Sequence, residues 1–596
     1  EVDFYEGGLH MVQPQYEILP DLPAGISSAG NSLEVGRIVP IYEAAGAGRL
    51  TSRFFRRVVH FVLETLAGVE DPLPPSVAEQ YRLIPRWEAI RNIHFPPAGA
   101  RLSELAEFRS AAHLRLIFEE FFFLETGLAL KRKQAREVPG IAFRTDARIR
   151  ECLKRVLPFH PTEAQKKALG GIVEDMRAPR PMRRLLQGDV GSGKTIVALQ
   201  AAAIAIENGY QVVMMAPTEI LAMQHYFYFR RLLQGSGYRI VLLTGSATSR
   251  EKKAMKRLLR EGLAQVAIGT HALVEQDVEF KALGLVVIDE QHRFGVMQRL
   301  RLMKKASAPD TLVMTATPIP RTLALTLYGD LDVSVIDELP AGRLPVLTRQ
   351  IPEEASQEAY RFVRSQVASG AQAFIVYPVI EDGTRPPEET TKRKPVDLKS
   401  AIKMYEFLAR DVFPQFKLGL LHGRLAAEEK ERTMQGFQSG RIQILVGTTV
   451  IEVGVDVPNA TVMLVEQAER FGLAQLHQLR GRVGRGRRQS HCLLLTSRQQ
   501  TEAAQQRLAA LENTQDGFEI SELDLRLRGP GEFLGTRQSG LPALRIANLL
   551  RDREILEWAR RLAMDFVERG DAREVSELTN YIRRIWKQRY GLSAVG

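Results

Sequence analysis

An apolar run, Leu185-Leu186-Gln187, passes directly into Gly188-Asp-Val-Gly-Ser-Gly-Lys194-Thr195, and an apolar stretch over 196–206 follows at once. Strand, glycine-rich loop and helix, in that order, are what a phosphate loop requires. Gly188, Gly191 and Gly193 let the backbone N–H groups around Asp189, Val190 and Ser192 close on phosphate oxygens, and the helix N-terminus adds positive potential. Lys194 reaches the outer phosphates and Thr195 offers a hydroxyl to Mg²⁺. A loop of this kind sits at the end of a buried parallel strand, so the chain around it is expected to be α/β.

The flanking pattern agrees. Short apolar runs recur at 185–187, 212–216, 240–243, 266–268, 285–288 and 312–314, then after Pro345 at 374–377, 418–421, 444–446, 462–465 and 492–495, with helical stretches between. Two parallel-sheet units in tandem are expected. The 285–288 run ends in Asp289-Glu290-Gln291-His292. Opposite a phosphate loop, Asp289 suits the Mg²⁺ side and Glu290 the attacking water. The second unit lacks a phosphate-loop lysine but carries Arg480, Arg482, Arg485, Arg487 and Arg488 within nine residues. Arg482 and Arg485 are expected to act as arginine fingers, with ATP between the units.

Size and composition bound the rest. At ~150 residues per domain, 596 residues make room for about four. The 45% hydrophobic and 25% charged content is that of a globular chain. Cys152 and Cys492 are too few for a disulfide framework, so a reducing compartment is expected. The formal charge of +11, from 81 Lys plus Arg against 70 Asp plus Glu, calls for an anionic partner. The apolar stretch 196–206 falls well short of the ~20 residues of a membrane span, and no basic-then-apolar leader follows Glu1. Residues 1–55 are rich in Gly, Pro and β-formers, and strands are expected there, including over 36–42. Helices are expected over 50–64 and 102–133. The cluster Leu116, Ile117, Phe118, Phe121, Phe122, Phe123 and Leu124 could stack bases, but its period places it on a core face. The polar stretch 382–397 reads as a mobile loop.

Taken together these segments resemble the paired RecA-like motor domains of superfamily-two helicases. Asp289-Glu-Gln-His-Arg-Phe-Gly-Val296 is similar specifically to the RecG family of bacterial branched-DNA translocases. Ala216-Pro-Thr-Glu-Ile-Leu-Ala222, Gly269-Thr-His271, Leu421-His-Gly-Arg424 and Thr448-Thr-Val-Ile-Glu-Val-Gly-Val-Asp-Val-Pro458 point the same way. The resemblance implies adenine recognition by Phe159 and Gln165, although Pro161 stands where the family usually has Leu. It further implies nucleotide contacts by Gly454 and Asp456, and coupling to DNA through Thr270, His271, Thr315 and Thr317. The segment 514–540 resembles the translocation motif shared with the transcription-repair coupling factor, which gives Arg526, Arg528, Arg537 and Gln538 roles at the DNA or the motor.

Residues 1–55 match only the closing strands of the family's OB-fold wedge, so that domain is expected to be partial. The expected organisation is then a wedge at 1–55, a helical linker at 56–148, motor domains at 149–345 and 346–510, and a translocation segment with C-terminal helices at 511–596. The implied activity is ATP- and Mg²⁺-dependent remodelling of replication forks and Holliday junctions. The implied setting is the bacterial cytoplasm at the nucleoid, as a monomer, with single-stranded DNA-binding protein as a partner and no membrane. A transcription-repair coupling translocase and a noncatalytic nucleic-acid-binding scaffold are the competing readings.

Overall fold

The chain separates into two compact units, one of Glu1–Gly127 with Pro542–Gly596 and one of Leu128–Leu541. The structure, a computed structural model, describes residues 3–5, 8–10, 33–34, 37–43, 50–156, 160–290, 301–303, 305–306, 308–315, 331–340, 343–378, 396–423, 425–448, 457–486, 488–498, 500–528 and 544–590. The first unit joins the two ends of the chain, and the division falls inside the 511–596 segment.

In that unit β1 (Asp3–Tyr5) and β2 (Gly8–His10) pair antiparallel, with Phe4 opposite Leu9. The strand expected over 36–42 does not form among the described residues 37–43. Pro40 has no N–H for a ladder, and its carbonyl accepts from Arg56 Nε and Nη2 at 3.2 and 2.9 Å. The expected helix over 50–64 is Ser52–Thr65, capped by the Thr51 hydroxyl. The single helix expected over 102–133 is instead Leu102–Ala106 followed by Ala111–Glu137. Between them Phe108 turns left-handed (φ 58°), with the Arg551 guanidinium 3.8 Å over its ring, and the Ser110 hydroxyl accepts from His113 N.

The aromatic face of Ala111–Glu137 is core, as its period implied. Ile117, Phe118, Phe121 and Phe122 are fully buried. Helices Arg553–Arg569 and Ala572–Tyr590 cover it, with the Phe118 and Trp558 rings 4.4 Å apart and Phe123 edge-on to Tyr581 at 5.4 Å. Beneath them Arg115, 1% exposed, pairs with Asp71 at 2.6 Å and Glu119 at 2.7 Å and donates to the Ile84 carbonyl. A buried guanidinium held by two carboxylates and a carbonyl is the arrangement that desolvation demands.

The second unit holds two parallel sheets. The first contains β3 (Arg183–Gly188), β4 (Gln211–Met215), β5 (Ile240–Leu243), β6 (Val266–Gly269), β7 (Leu283–Asp289), β8 (Asp310–Thr315) and β9 (Asp332–Ile336), in the order β5-β6-β4-β7-β8-β3-β9. The second contains β10 (Leu347–Pro352), β11 (Gln372–Val376), β12 (Leu418–Leu421), β13 (Ile444–Gly447), β14 (Ala460–Val465) and β15 (His491–Thr496), in the order β10-β15-β14-β11-β13-β12. Every apolar run expected to be a strand is one. The additions are β9 and β10, edge strands that carry polar residues such as Asp332, Thr348 and Arg349 and so lack the apolar signal of a central strand. Helix Lys194–Glu207 is apolar nearly all round because the sheet and its neighbours enclose it. Among the described residues no helix is long and apolar enough to cross a membrane. The stretch 382–397 lies largely outside the described residues.

One carboxyl is buried at the start of β8. Asp310 is fully enclosed, and its Oδ1 accepts from Met182 N at 2.7 Å, while Oδ2 has no partner among the described residues. Burial, against the Met182 bond and with a small push from Asp175, raises its pKa to about 7. The unfolded chain releases this proton near pH 4 and the folded one near 7, so stability is highest below about 4 and falls through that window by at most about 4 kcal/mol. Asp310→Asn keeps a carbonyl for Met182 and has no proton to lose. Its melting temperature relative to wild type is expected to rise between pH 5 and pH 8. Parallel melting curves across that range would refute the assignment.

Candidate active site

Parallel strands deliver their C-terminal ends to one edge, and the phosphate loop, Asp289, Thr315 and Thr270 lie there. Gln187 on β3 is level with Thr315 on β8, and Met314 is level with Asp289 on β7. At ~4.8 Å per strand, the phosphate loop and Asp289 are separated by ~10 Å across β8, with Thr315 between them. Thr315 and Thr270, the latter following β6, are buried, and His271 is exposed at the start of the 3₁₀ turn His271–Val274.

The loop turns through left-handed Gly191 (φ 82°) and Gly193 (φ 91°), and Gly193 caps the helix that begins at Lys194. A Cβ at Gly193 would collide with the Gln165 amide, and one at Gly191 with the Arg343 guanidinium. Lys194 is 8% exposed, and its Nζ donates to the Gly188 and Asp189 carbonyls, both at 2.8 Å. Burial lowers its pKa, with Glu290, Asp289 and Asp189 opposing and Arg485 adding to the depression. Those four charged groups therefore share one electrostatic site with the lysine. Ser192 Oγ is buried with no partner among the described residues. Thr195 is half-buried on the first turn.

Gln165 sits below the loop. Its Oε1 accepts from Thr162 N at 3.1 Å in a capping box, and its Nε2 donates to the Ser192 carbonyl at 2.8 Å. The amide expected to read adenine thus braces the phosphate loop, and one N–H and one lone pair remain for a base. Phe159 lies outside the described residues.

At the end of β7, Asp289 Oδ2 meets His225 Nε2 at 2.8 Å, and Oδ1 accepts from Glu290 N at 3.1 Å. Glu290 is left-handed (φ 51°), a strained conformation for a side chain of this kind, and it turns the backbone just past the strand. His225 comes from helix Glu219–Leu232 and has no motif spacing that would have marked it.

The second sheet supplies the other wall. Helix Leu473–Arg480 ends at Gly481, where a Cβ would stand 2.8 Å from Val190 of the phosphate loop. His477 Nε2 is 2.7 Å from Asp189 Oδ1. Arg480 Nη2 lies 2.9 Å from His477 Nδ1, and because a guanidinium can only donate, Nδ1 accepts and Nε2 carries the proton to Asp189. Burial opposes charge on Asp189, but the His477 bond and Val190 N at 2.6 Å outweigh it and hold its pKa below the usual carboxylate range. Arg343, between the sheets, donates to Val190 O at 2.7 Å and to Gly484 O at 3.1 Å. Arg485 Nε donates to Gly481 O at 3.1 Å, and Arg482 is half-buried in the turn beyond the helix.

Arg480, the first of the arginine run, serves the fold and not an anion. It is 3% exposed and donates to the Leu511 and Thr514 carbonyls at 2.7 and 2.8 Å. Arg526 is exposed on helix Gly517–Arg528. Thr317, Gly454, Asp456, Arg537, Gln538 and the Arg528 side chain lie outside the described residues. Sequence reasoning missed His225, Arg343 and His477, since each acts through partners 64 to 288 positions away.

Three families match along the chain: DEAD/DEAH box helicase at 162–326, helicase conserved C-terminal domain at 390–487, and ATP-dependent DNA helicase RecG, domain 3, C-terminal, at 514–593. The chain is 46% identical to the ATP-dependent DNA helicase RecG of Synechocystis over 557 residues, which are 93% of this chain and 64% of the relative. It is 41% identical to that of Escherichia coli K12 over 568 residues, 94% of this chain and 79% of the relative. A solved structure of RecG bound to a three-way DNA junction superposes with a TM-score of 0.65 at 45% identity, covering 88% of this chain and 66% of that one. The chain thus spans a little under two thirds of the length of its Synechocystis relative. With the motor motifs in order, the phosphate loop walled by the second sheet and a C-terminal segment matched by name, the chain belongs to the ATP-dependent DNA helicase RecG family.

Proposed function

We propose that this chain is an ATP-dependent double-stranded DNA translocase that remodels branched DNA, regressing stalled forks and moving Holliday junctions. The observation that carries the reading is the composite site, in which a phosphate loop from one sheet is walled by Gly481, His477 and the Arg485 loop from the other. The RecG relative bound to a three-way junction supports branched DNA as the substrate class. Further elements of the proposal are action as a monomer at the bacterial nucleoid, single-stranded DNA-binding protein as a partner, and a partial OB-fold wedge at 1–55.

The loop fits a nucleoside triphosphate. Ser192 Oγ is a buried hydroxyl awaiting an acceptor or donor, and the carbonyl contacts of Lys194 are ones that phosphate oxygens can replace. Mg²⁺, held by Thr195 and Asp289 together with the phosphates, would neutralise charge building on the transferred group. Glu290 then orients and deprotonates the attacking water, while Arg485, seconded by Arg482, stabilises the phosphoryl charge from the second sheet. Asp189, His477 and Arg480 form a hydrogen-bonded row ending on Leu511 and Thr514, where the segment 514–540 begins. Closing and opening of the site is thereby transmitted to the residues assigned to duplex DNA, and Thr270, His271 and Thr315 lie at the same strand ends. Phosphate contacts dominate, so binding is salt-dependent and indifferent to base sequence.

Lys194→Ala is expected to abolish DNA-stimulated phosphate release. Arg485→Ala is expected to bind nucleotide normally and to lose about 10³-fold in kcat. Normal turnover in either variant would remove the role assigned to that residue, and no phosphate release from the wild-type chain with forked DNA would leave a nucleic-acid-binding scaffold. Arg343→Ala is expected to lower kcat by about 10–100-fold, with only partial rescue by Lys, because an ammonium cannot span two carbonyls as the planar fork does. Steady-state ATPase measurements decide, and an unchanged kcat would deny Arg343 a role in holding the two walls together.

A further inference from the structure

The strand that carries the phosphate loop at one end carries a second basic site at the other. At the start of β3 an open cleft is lined by Arg132, Arg136, Arg180 and Arg183, with Asp175 and Asp332 as its carboxylates. Both carboxylates are already committed. Asp332 pairs with Arg132, and Asp175 accepts from Arg184 Nε at 2.7 Å, with Arg184 held further by Ser334 Oγ at 2.8 Å. Arg180 and Arg183 therefore bring charge that neither acid neutralises. The Arg183 Nε is buried and has no hydrogen-bond partner among the described residues. A buried guanidinium nitrogen without an acceptor is costly, and such an exception calls for an explanation.

We propose that this cleft is a phosphate-binding site, separate from the phosphate loop. From Arg183 to Gly188 the strand runs ~17 Å, so the two anion sites lie at opposite ends of β3 and cannot share a ligand phosphate. A planar guanidinium fork pairs with two oxygens at once, so several around one cleft suit a phosphate, whose tetrahedral oxygens can take more than one fork. The cleft holds one phosphate or pyrophosphate group against Arg180 and Arg183, with Arg132 and Arg136, from the last turns of Ala111–Glu137, closing the side. That group comes either from a nucleic-acid backbone or from a free polyphosphate, and the backbone source rests on the translocase reading above.

The full chain with Lys194→Ala, which silences the phosphate loop, is compared with the same chain carrying Arg180→Gln, Arg183→Gln or both. Two probes are used: pyrophosphate by calorimetry, and a short labelled duplex by anisotropy over a series of KCl concentrations. The expected result is about tenfold weaker duplex binding in the double variant and a log–log salt slope shallower by about one per arginine lost. Loss of pyrophosphate and duplex binding together upholds the site with DNA as its source. Loss of pyrophosphate binding alone upholds the site with a free polyphosphate as its source, and loss of duplex binding alone upholds it for backbone phosphate. No change with either probe overturns the proposal. Arg180 is exposed, so its variant folds even if Arg183→Gln does not, and Arg183→Lys, which keeps the charge, is expected to restore part of the binding. DNA-stimulated ATPase of the otherwise wild-type chain is recorded in parallel. Its absence beside a loss of phosphate binding would fail the translocase reading while leaving the cleft intact.

Discussion

A phosphate loop offers donors and a lysine but no group positioned to neutralise charge on the side facing solvent. Whatever completes it must come from another element, and here that requirement governs the whole second unit. Val190 packs on Gly481 at a separation that tolerates no side chain, His477 donates to Asp189, and Arg343 clasps a carbonyl from each wall. The first is close packing, and the other two are directional hydrogen bonds to carboxylate or backbone oxygens. The second sheet is thus held against the first by the same atoms that frame the site.

Electrostatics reinforce this arrangement. Lys194 is buried among three carboxylates and one guanidinium, so its charge depends on the acids of its own sheet and is opposed by Arg485 from the other. A further anion between Lys194 and Arg485 would relieve that opposition, which is the physical sense in which the two walls are complementary to a polyanion. Away from the site, cations are disposed of differently. Arg115 is enclosed by two carboxylates in the first unit, Arg480 by carbonyls in the second, and Arg183 has an enclosed nitrogen that nothing described satisfies. The +11 surplus is therefore divided among structural, catalytic and still open positions, and cannot be assigned wholesale to one partner.

How much could be read from the residues alone depended on whether the signal was local. The parallel strands were legible because buried strands are continuous apolar runs, and the phosphate loop because its glycines and lysine act within eight positions of one another. The polar edge strands β9 and β10 were illegible for the converse reason. The strand expected around Pro40 failed because a carbonyl–guanidinium contact replaced a ladder there. The helix expected to run unbroken from 102 was interrupted at Phe108, whose ring is held by Arg551 from the other end of the chain.

By itself the sequence determined the α/β class, the order of the motor motifs, the identity of the loop that takes phosphate and the need for groups from a second sheet to complete it. These follow from periodicity and from spacings of a few residues. Tertiary structure alone decided which side chains do the completing. Asp189 meets a histidine 288 positions away, Gln165 turns to the loop instead of outward, and Arg480 leaves the arginine run to hold the Leu511 and Thr514 carbonyls. Such pairings depend on where two sheets bring their ends together, and no local pattern encodes that distance.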